Sequence, residues 1–364
     1  MSALRVTAIS GFRGKGPACF LVETGGVRLL LDCGKGPDRG RLPDLAGIGP
    51  LDAVLISHGH ADHIGGLDLV PDGVPVHATA PVIAIGGHPR LAQARTLPLS
   101  GETTIAGLAV ETGQTSHAPG GVWLRIGGEG GVLYSGDHTR ASRLYPWQPF
   151  PRARAFVLDA SYGAYDRPNA QAEAELRALV AEGRPVLFPV PADGRAMEMA
   201  LAFADIAPVR LDAAVRRVAE IVIAQEIGPA PMRAAVANLL ARTPPLAADG
   251  APGGVMLAAS ANADSGTAAD LLARVEGDDA VSVVFTGHLA EGAPSERLVE
   301  SGRARFVRWN VHPTLAELAA ALDEAKPEIV MPAFVKPPGL ADLAAALPQI
   351  RFATEPTITL DPSP

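Results

Sequence analysis

Residues 53–66 read Ala-Val-Leu-Ile-Ser-His-Gly-His-Ala-Asp-His-Ile-Gly-Gly. The apolar run 53–56 is typical of a buried strand, and the glycines that follow indicate a tight loop leading into a helix. Side chains alternate along an extended segment, so His58 and His60 are expected to point the same way and to share one ion. Asp62 and His63, at the turn into the helix, are free to face a second ion.

This residue set predicts a catalytic metal site. Neutral imidazoles and ionised carboxylates are the ligands that zinc takes for catalysis, whereas a thiolate cage usually closes a zinc site. The alternative is a histidine-rich surface loop. The strand, tight loop and helix start that bracket the cluster argue against that alternative.

Length and composition bound the remaining possibilities. With 364 residues, 48% of them hydrophobic and 19% charged, the chain has enough apolar content for a large core and is expected to form two domains. A net charge of −8 argues against a broad basic surface for nucleic acid. It does not exclude a local one, because bound zinc ions would add positive charge at the site itself.

The sequence also carries expectations about compartment and cysteine chemistry. The N-terminus lacks a basic segment followed by an apolar run, and no stretch of about 18 apolar residues occurs, which predicts a cytoplasmic protein without a membrane span. Cys19 and Cys33 do not form a C-x-x-C pair and are expected to be buried small hydrophobic residues.

The pattern H-x-H-x-D-H after an apolar strand resembles the signature of the metallo-β-lactamase superfamily. The resemblance implies a third histidine at His117, in a Gly/Pro loop, and a metal-bridging carboxylate at Asp137, after Ser135-Gly136. Asp32 resembles a residue that braces a ligating histidine, with a strand-end turn carboxylate as the alternative. The implied metal ligands are then His58, His60 and His117 for one zinc, Asp62 and His63 for the other, and Asp137 between them.

Further segments resemble the β-CASP nucleases of this superfamily. Asp159-Ala-Ser-Tyr-Gly163 resembles their D/E-S-T-Y-G segment, and Val311-His312-Pro313 resembles the motif whose histidine pairs with that acidic residue. The resemblance implies that Asp159 orients His312 as a general acid. A helix that begins near His312, with Pro313 in its first turn, is the alternative. Asp62, Asp159 and His312 are thus the candidate catalytic residues.

The β-CASP resemblance also implies the architecture. An αββα metallo-β-lactamase sandwich is expected over residues 1–166 and 311–364, with an α/β cap inserted over residues 167–310. Periodicity predicts cap helices at 170–181, 195–204, 211–227 and 232–241. The candidate substrate-binding residues of the cap are Arg195, His288 and Arg297.

The sequence departs from the family pattern at the strand end Val330–Pro337, where the family places another metal-binding histidine. Phe334 aligns best with that histidine. The second zinc is therefore expected to bind more weakly than the first, or to be replaced by Mn²⁺. The isolated histidines His77 and His88 are expected to be ordinary packed or solvated side chains, and His138 is expected to support the site or the core and not to bind metal.

Three functions fit these observations. The first is a zinc-dependent hydrolase that cleaves phosphodiesters of RNA or single-stranded DNA through a metal-bound hydroxide. His288 stands where the family has a tyrosine, and Ala293-Pro294-Ser295 replaces its T-x-G, so a metallo-hydrolase of a small non-nucleic substrate is the second. A non-catalytic binding partner is the third, and the intact ligand cluster argues against it. A homodimer is compatible with each of the three.

Overall fold

A computed structural model describes residues 3–362. Chain contacts separate it into two compact units. Unit 1 contains the chain up to Arg140, Pro146–Asp166, and the chain from His312 onwards, and unit 2 contains Ala141–Tyr145 and Arg167–Val311.

The strands within the described residues are numbered in chain order. They are β1 Leu4–Ser10, β2 Cys19–Thr24, β3 Val27–Leu31, β4 Ala53–Leu55, β5 Val76–Thr79, β6 Arg95–Leu97, β7 Gly101–Ile105, β8 Leu108–Gln114, β9 Val122–Ile126, β10 Val132–Tyr134, β11 Ala155–Asp159, β12 Val186–Pro189, β13 Val209–Leu211, β14 Val255–Ala258, β15 Ser282–Phe285, β16 Arg305–Phe306, β17 Ile329–Ala333 and β18 Thr357–Leu360.

The α-helices are numbered in the same way, and short 3₁₀ turns occur at Leu67–Leu69, Leu91–Gln93 and Gly128–Gly130. The α-helices are α1 Ala61–Ile64, α2 Ala80–Ile85, α3 Asn169–Ala181, α4 Arg195–Phe203, α5 Ala213–Ala224, α6 Ala230–Arg242, α7 Gly266–Val275, α8 Pro294–Glu300, α9 Leu315–Ala325 and α10 Pro337–Ala346.

Unit 1 contains two sheets, in the strand orders β18-β1-β2-β3-β4-β5-β6 and β17-β11-β10-β9-β8-β7. Alternation along the strands explains why both sheet faces are covered. In β11, Val157 belongs to the core that both sheets share, whereas Phe156 packs with Leu318 of α9 on the other face. In β2, Phe20 joins the shared core, and Leu21 packs in a separate cluster with α1 and α2. This four-layer order confirms the predicted αββα sandwich.

Unit 2 is built on one parallel sheet in the order β13-β14-β12-β15-β16. Helices alternate with these strands, and a buried apolar cluster contributed by β12, β14, β15, α7 and α8 forms a core separate from those of unit 1. The α/β character expected of the inserted region is therefore present.

One predicted helix has wrong boundaries. The segment 211–227 was expected to be helical throughout, but Leu211 ends β13, where it pairs with Leu257 of β14. The helix α5 starts after Asp212, whose side chain accepts a hydrogen bond from the Val215 N–H and so caps the helix. The sequence pattern did not reveal this strand, because three residues are too few to interrupt the helical periodicity of the segment.

The predicted metal-site residues all lie near one end of the unit 1 strands. His58 and His60 follow β4, Asp137 follows β10, and Asp159 is the last residue of β11. His117 follows β8, and Phe334 follows β17. The parallel pairing of β10, β11 and β17 brings their carboxyl ends to the same edge of the sheet.

Candidate metal centre

Three imidazole nitrogens converge on one point. The His58 Nε2 and His117 Nε2 atoms are each 3.1 Å from the His60 Nδ1 atom. Nitrogens bound to one tetrahedral zinc at about 2.0–2.1 Å would be separated by about 3.3–3.4 Å. The observed spacing therefore fits three ligands of a single ion.

The Asp137 carboxylate completes this donor set. Its Oδ2 atom is 3.9 Å from His58 Nε2 and 3.6 Å from His117 Nε2, and ligand atoms of His58, His60, His117 and Asp137 lie within 4.8 Å of one another. Asp137 is buried, and its Oδ1 atom has no hydrogen-bond partner among the described residues. A buried carboxylate oxygen that lacks a donor is costly unless a cation satisfies it.

The electrostatics favour the protonation states that metal ligands need. Burial, followed by the neighbouring imidazoles of His63, His60 and His117, lowers the pKa of His58 well below its ordinary value, which keeps it neutral. Burial alone would raise the pKa of Asp137, but the positive charges of His63, His312 and Lys15 outweigh it and hold this pKa well below the usual range. A neutral imidazole and an ionised carboxylate are the metal-binding forms.

A second donor group shares Asp137. Ligand atoms of Asp62, His63 and Asp137 lie within 4.8 Å of one another, and the His63 Nε2 atom is 3.4 Å from Asp137 Oδ1. Burial alone would lower the pKa of His63, but the carboxylates of Asp137 and Asp32 raise it well above its ordinary value. A cation that binds His63 must therefore displace a proton.

Asp32 is the anchor of His63. Its buried carboxylate accepts hydrogen bonds from His63 Nδ1 (2.7 Å), the Tyr134 hydroxyl (2.6 Å), and both the N–H and the hydroxyl of Ser57 (2.7 Å each). This arrangement directs the other nitrogen of His63 towards Asp137. Of the two interpretations of Asp32, the contacts favour the bracing residue over the turn carboxylate.

Glycines permit the close approach of the loops around the metal-site residues. A Cβ on Gly34 would lie 1.7 Å from the Asp62 carbonyl oxygen, and a Cβ on Gly136 would lie 2.8 Å from the Ser57 Cβ. A larger residue at Gly34 would push away the segment that carries Asp62. A larger residue at Gly136 would push its own segment, which carries Asp137, away from Ser57.

Phe334 lies beside the second donor group. Its ring is buried and meets the His63 ring edge-on, with 5.6 Å between the ring centroids. The residue has φ +64°, in the left-handed region that bulky side chains seldom adopt. An apolar ring thus contacts the second donor group at the position that aligns with the family's metal-binding histidine.

Asp159 and His312 form a buried pair next to Asp137. The His312 Nδ1 atom is 2.8 Å from Asp159 Oδ2 and 3.6 Å from Asp137 Oδ2. Burial alone would raise the pKa of Asp159, but His312 outweighs it, so this pKa lies below its ordinary value. Asp159 Oδ1 also accepts hydrogen bonds from the Ser161 N–H (3.0 Å) and hydroxyl (2.6 Å).

The alternative interpretation of His312 is correct that a helix begins nearby but wrong that Pro313 lies in its first turn. Helix α9 starts at Leu315, and Thr314 is its N-cap, in a capping box with Glu317. The two residues therefore precede the helix, which leaves the His312 side chain available for Asp159.

The candidate substrate-binding residues belong to unit 2. The buried Arg195 donates from Nε to the Thr286 hydroxyl (2.9 Å), and Arg297 forms a bidentate ion pair with Glu276 (2.8 and 3.1 Å). His288 is exposed in the loop after β15.

The remaining histidines lie outside the donor groups found among residues 3–362. His88 is 3.5 Å from Asp68, and burial lowers the pKa of His77. His138 is buried beside the rings of Trp147 and Phe150, and burial lowers its pKa to about 4. Neither ring nitrogen of His138 has a hydrogen-bond partner in the described chain.

Sequence reasoning missed Lys15 and Tyr134. The Lys15 ammonium is 3.3 Å from His312 Nε2 and 3.2 Å from the Ser161 hydroxyl, although 297 positions separate Lys15 from His312. Its only signal in the sequence is its place in the loop Arg13-Gly-Lys-Gly-Pro17. Tyr134 looks like an ordinary apolar strand residue, so no motif points to its bond with Asp32.

Comparisons with known proteins agree with this geometry. Residues 13–189 match the model of the metallo-β-lactamase superfamily. The chain is 32% identical over 247 residues to the transcription termination factor FttA of Methanothermobacter thermautotrophicus, a match that covers 54% of this chain and 38% of that protein. It is 29% identical over 233 residues to a ribonuclease of Thermus thermophilus, covering 54% of each.

These matches span about two fifths to one half of the relatives' own lengths. A crystal structure of a protein of unknown function from Enterococcus faecalis V583 shares the fold, with a TM-score of 0.60 at 15% identity over 99% of this chain and 100% of that one. The superfamily match over residues 13–189, the relatives and the order of the motifs together confirm the resemblance to the metallo-β-lactamase superfamily and its β-CASP branch.

Proposed function

We propose that this chain is a zinc-dependent hydrolase that cleaves phosphodiester bonds in RNA or single-stranded DNA. The observation that carries the proposal is the convergence of His58, His60, His117 and Asp137 next to the buried pair of Asp159 and His312. A donor set of this kind beside an oriented imidazole fits hydrolysis better than it fits binding alone.

The family and the clustered donors imply a divalent metal, and the ligand types favour zinc. His58, His60, His117 and Asp137 would hold one ion tightly. Asp62, His63 and Asp137 would hold a second ion more weakly, because Phe334 offers no ligand, and Mn²⁺ could replace zinc there. When bound, such ions supply Lewis acidity and lower the pKa of a coordinated water.

The other steps depend on side chains of the protein, each with its own role. Asp32 keeps the Nδ1 proton of His63 in place, so that Nε2 is the nitrogen at which an ion would bind after displacing its proton. Asp159 accepts a hydrogen bond from His312 Nδ1, so Nε2 is the atom at which His312 can pass a proton to a leaving oxygen. Asp62 would be a ligand of the second ion and would orient the reacting water.

The substrate class is supported by the names of the relatives, a ribonuclease and a transcription termination factor. In this proposal unit 2 is the cap that selects the substrate, through Arg195, His288 and Arg297. One observation favours a second candidate, a small phosphodiester. The Arg297 guanidinium is already paired with Glu276, and Arg195 is buried against Thr286, so both cations have partners within unit 2.

Hydrolysis by the zinc-loaded protein tests the proposal, with single-stranded RNA and bis(p-nitrophenyl) phosphate as substrates. Asp137→Ala should abolish hydrolysis of both. His312→Ala should retain zinc and slow turnover by about 10²-fold to 10⁴-fold, as expected for a lost general acid. Loss of zinc from the His312→Ala protein would instead identify this histidine as a ligand.

Salt dependence separates the two substrate classes. Affinity for RNA should fall steeply as salt rises, because bound phosphates release counterions, whereas affinity for a small substrate should change little. If the zinc-loaded protein hydrolyses neither substrate, the proposed hydrolase is refuted.

No helix within residues 3–362 is long and apolar enough to cross a membrane. Cys19 and Cys33 are buried and carry free thiols. Unbridged cysteines fit a reducing compartment, so the cytoplasm is the location we propose.

A further inference from the structure

Lys15 contacts two of the residues that surround the metal centre. Its ammonium lies 3.3 Å from His312 Nε2 and 3.2 Å from the Ser161 hydroxyl, and it lies over the Phe334 ring, 5.6 Å from the centroid. An ammonium can only donate hydrogen bonds. When His312 is neutral, its Nε2 atom accepts from Lys15, and a chain of hydrogen bonds runs from Lys15 through His312 to Asp159.

The carboxylates of the site also act on Lys15. Burial by itself would lower the pKa of Lys15, but Asp137, Asp62 and Asp159 outweigh it and raise this pKa above its ordinary value. Two of these three carboxylates, Asp137 and Asp62, belong to the second donor group. The ammonium is therefore attracted by the same negative charges that a second divalent ion would need.

Because Phe334 stands where the family pattern has a histidine, the second donor group has one ligand fewer than that pattern. Its ring packs against the rings of His63 and Phe20, with centroids 5.6 Å and 6.0 Å away, and it presents the face of the ring to Lys15. One side of the group thus holds an apolar ring and a fixed positive charge. A cation over an aromatic face is stabilised there, which helps to hold Lys15 in place.

From these contacts we propose that Lys15 is a catalytic residue that takes the role of the second metal ion: its ammonium binds a non-bridging oxygen of the scissile phosphate and opposes binding of a second divalent ion. The inference rests on the proposed phosphodiester hydrolysis. It makes the enzyme a one-metal hydrolase whose second positive charge is part of the chain.

The physical argument is one of competing charges. A lysine ammonium is a compact point charge on a flexible stem, and it binds phosphate oxygen well. Its single charge stabilises a phosphate less than a divalent ion would, but it needs no ligands. A divalent ion placed next to it would be repelled with twice the force that a monovalent ion would feel.

Metal stoichiometry and phosphate binding test the inference without relying on turnover. Zinc per chain is measured by elemental analysis after equilibration with zinc, and inorganic phosphate binding to the one-zinc protein is measured by calorimetry. The variants are Lys15→Met, which keeps the length and removes the charge, and Lys15→Arg, which keeps the charge. Lys35→Met is the matched control, because Lys35 is an exposed lysine that belongs to neither donor group.

The wild-type, Lys15→Arg and Lys35→Met proteins should hold close to one zinc. Lys15→Met should bind a second zinc at least about 10-fold more tightly than the wild type, and should bind phosphate at least about 10-fold more weakly, because a unit charge has been removed from a partly buried site.

Two tightly held zinc ions in the wild type, or a Lys15→Met protein that matches Lys35→Met in both measurements, would overturn the role of Lys15 and leave the proposed hydrolase standing. Absence of tight zinc in every variant, including Lys35→Met, would instead overturn the proposed hydrolase and this inference with it.

Discussion

The substitution Asp32→Asn tests two roles of this carboxylate. It stabilises the fold through its hydrogen bonds, and it fixes the tautomer of His63. Asp32 accepts four hydrogen bonds, from the N–H and hydroxyl of Ser57, the hydroxyl of Tyr134 and the Nδ1 atom of His63. An asparagine offers one acceptor oxygen and an amide that donates. If its oxygen keeps the Ser57 N–H, the amide nitrogen faces three groups that were donors.

The cost follows from those contacts. Hydrogen bonds to a charged group contribute about 1.5–3 kcal/mol each, and the two hydroxyls can rotate to accept from the amide, so we expect a loss of about 2–4 kcal/mol in the free energy of unfolding. His63 can accept from the amide only if its proton moves from Nδ1 to Nε2. That tautomer removes the lone pair that faces Asp137, so the affinity of the second donor group for a cation should fall by about 10-fold to 100-fold.

Urea unfolding of the metal-free protein measures the first effect. Titration of Mn²⁺ into the one-zinc protein measures the second. Tyr134→Phe is the matched control, since it removes one hydrogen bond to the same oxygen, should cost about 1 kcal/mol, and should leave the His63 tautomer unchanged. An Asp32→Asn protein with the stability and Mn²⁺ affinity of Tyr134→Phe would refute the assigned role of Asp32.

Three more predictions concern the site. Replacing His58, His60 or His117 by Ala should each empty the tight zinc position, and elemental analysis that still finds one zinc per chain would contradict the ligand set. Phe334→His should raise second-site affinity for Mn²⁺ only modestly while Lys15 is present, and more in the Lys15→Met background; equal gains in both backgrounds would show that the two positions are independent. His138, whose pKa burial lowers to about 4, stays neutral in the folded chain while the unfolded chain takes up a proton below about pH 6.5, so it contributes stability above that pH that is lost as the pH falls towards 4. The loss should reach about 3 kcal/mol, and the unfolding free energies of wild type and His138→Phe between pH 7.5 and 4 should diverge by that amount; parallel curves would show that His138 is protonated without cost.

Local spacing was enough to predict only two members of the first donor group, His58 and His60. His58 and His60 alternate on an extended segment, and their nitrogens do meet, because two residues of separation on a strand leave little freedom. His117, Asp137 and Asp159 were predicted through the family resemblance, and Asp137 and Asp159 do lie at or just after the ends of strands. His312 was reachable only through the family resemblance, since nothing nearby in the sequence marks it.

The contacts missed from the sequence are those set by the packing of distant segments. The family resemblance implied that Asp32 braces a ligating histidine, but the choice of His63 depends on the parallel pairing of β3 with β4, which no periodicity shows. The link from Lys15 to His312 joins the first loop of the chain to the segment before α9. The later start of α5, at Ala213 and not at Leu211, was missed for a different reason, because the N-cap Asp212 lies inside an apolar pattern that looks helical.

The chain leaves unit 1 after Asp166 and returns at His312, and hydrogen bonds hold the two points side by side. The Leu315 N–H donates to the Tyr165 carbonyl (2.8 Å), and the Ala316 N–H donates to the Asp166 carboxylate (2.9 Å). The entropic cost of closing a loop grows only by about 0.6 kcal/mol for each doubling of its length. The stability of unit 1 therefore depends little on how many residues lie between those points. The segment 167–311, which is all of unit 2 except Ala141–Tyr145, can therefore be exchanged, lengthened or rebuilt over evolutionary time while His312 keeps its register with Asp159.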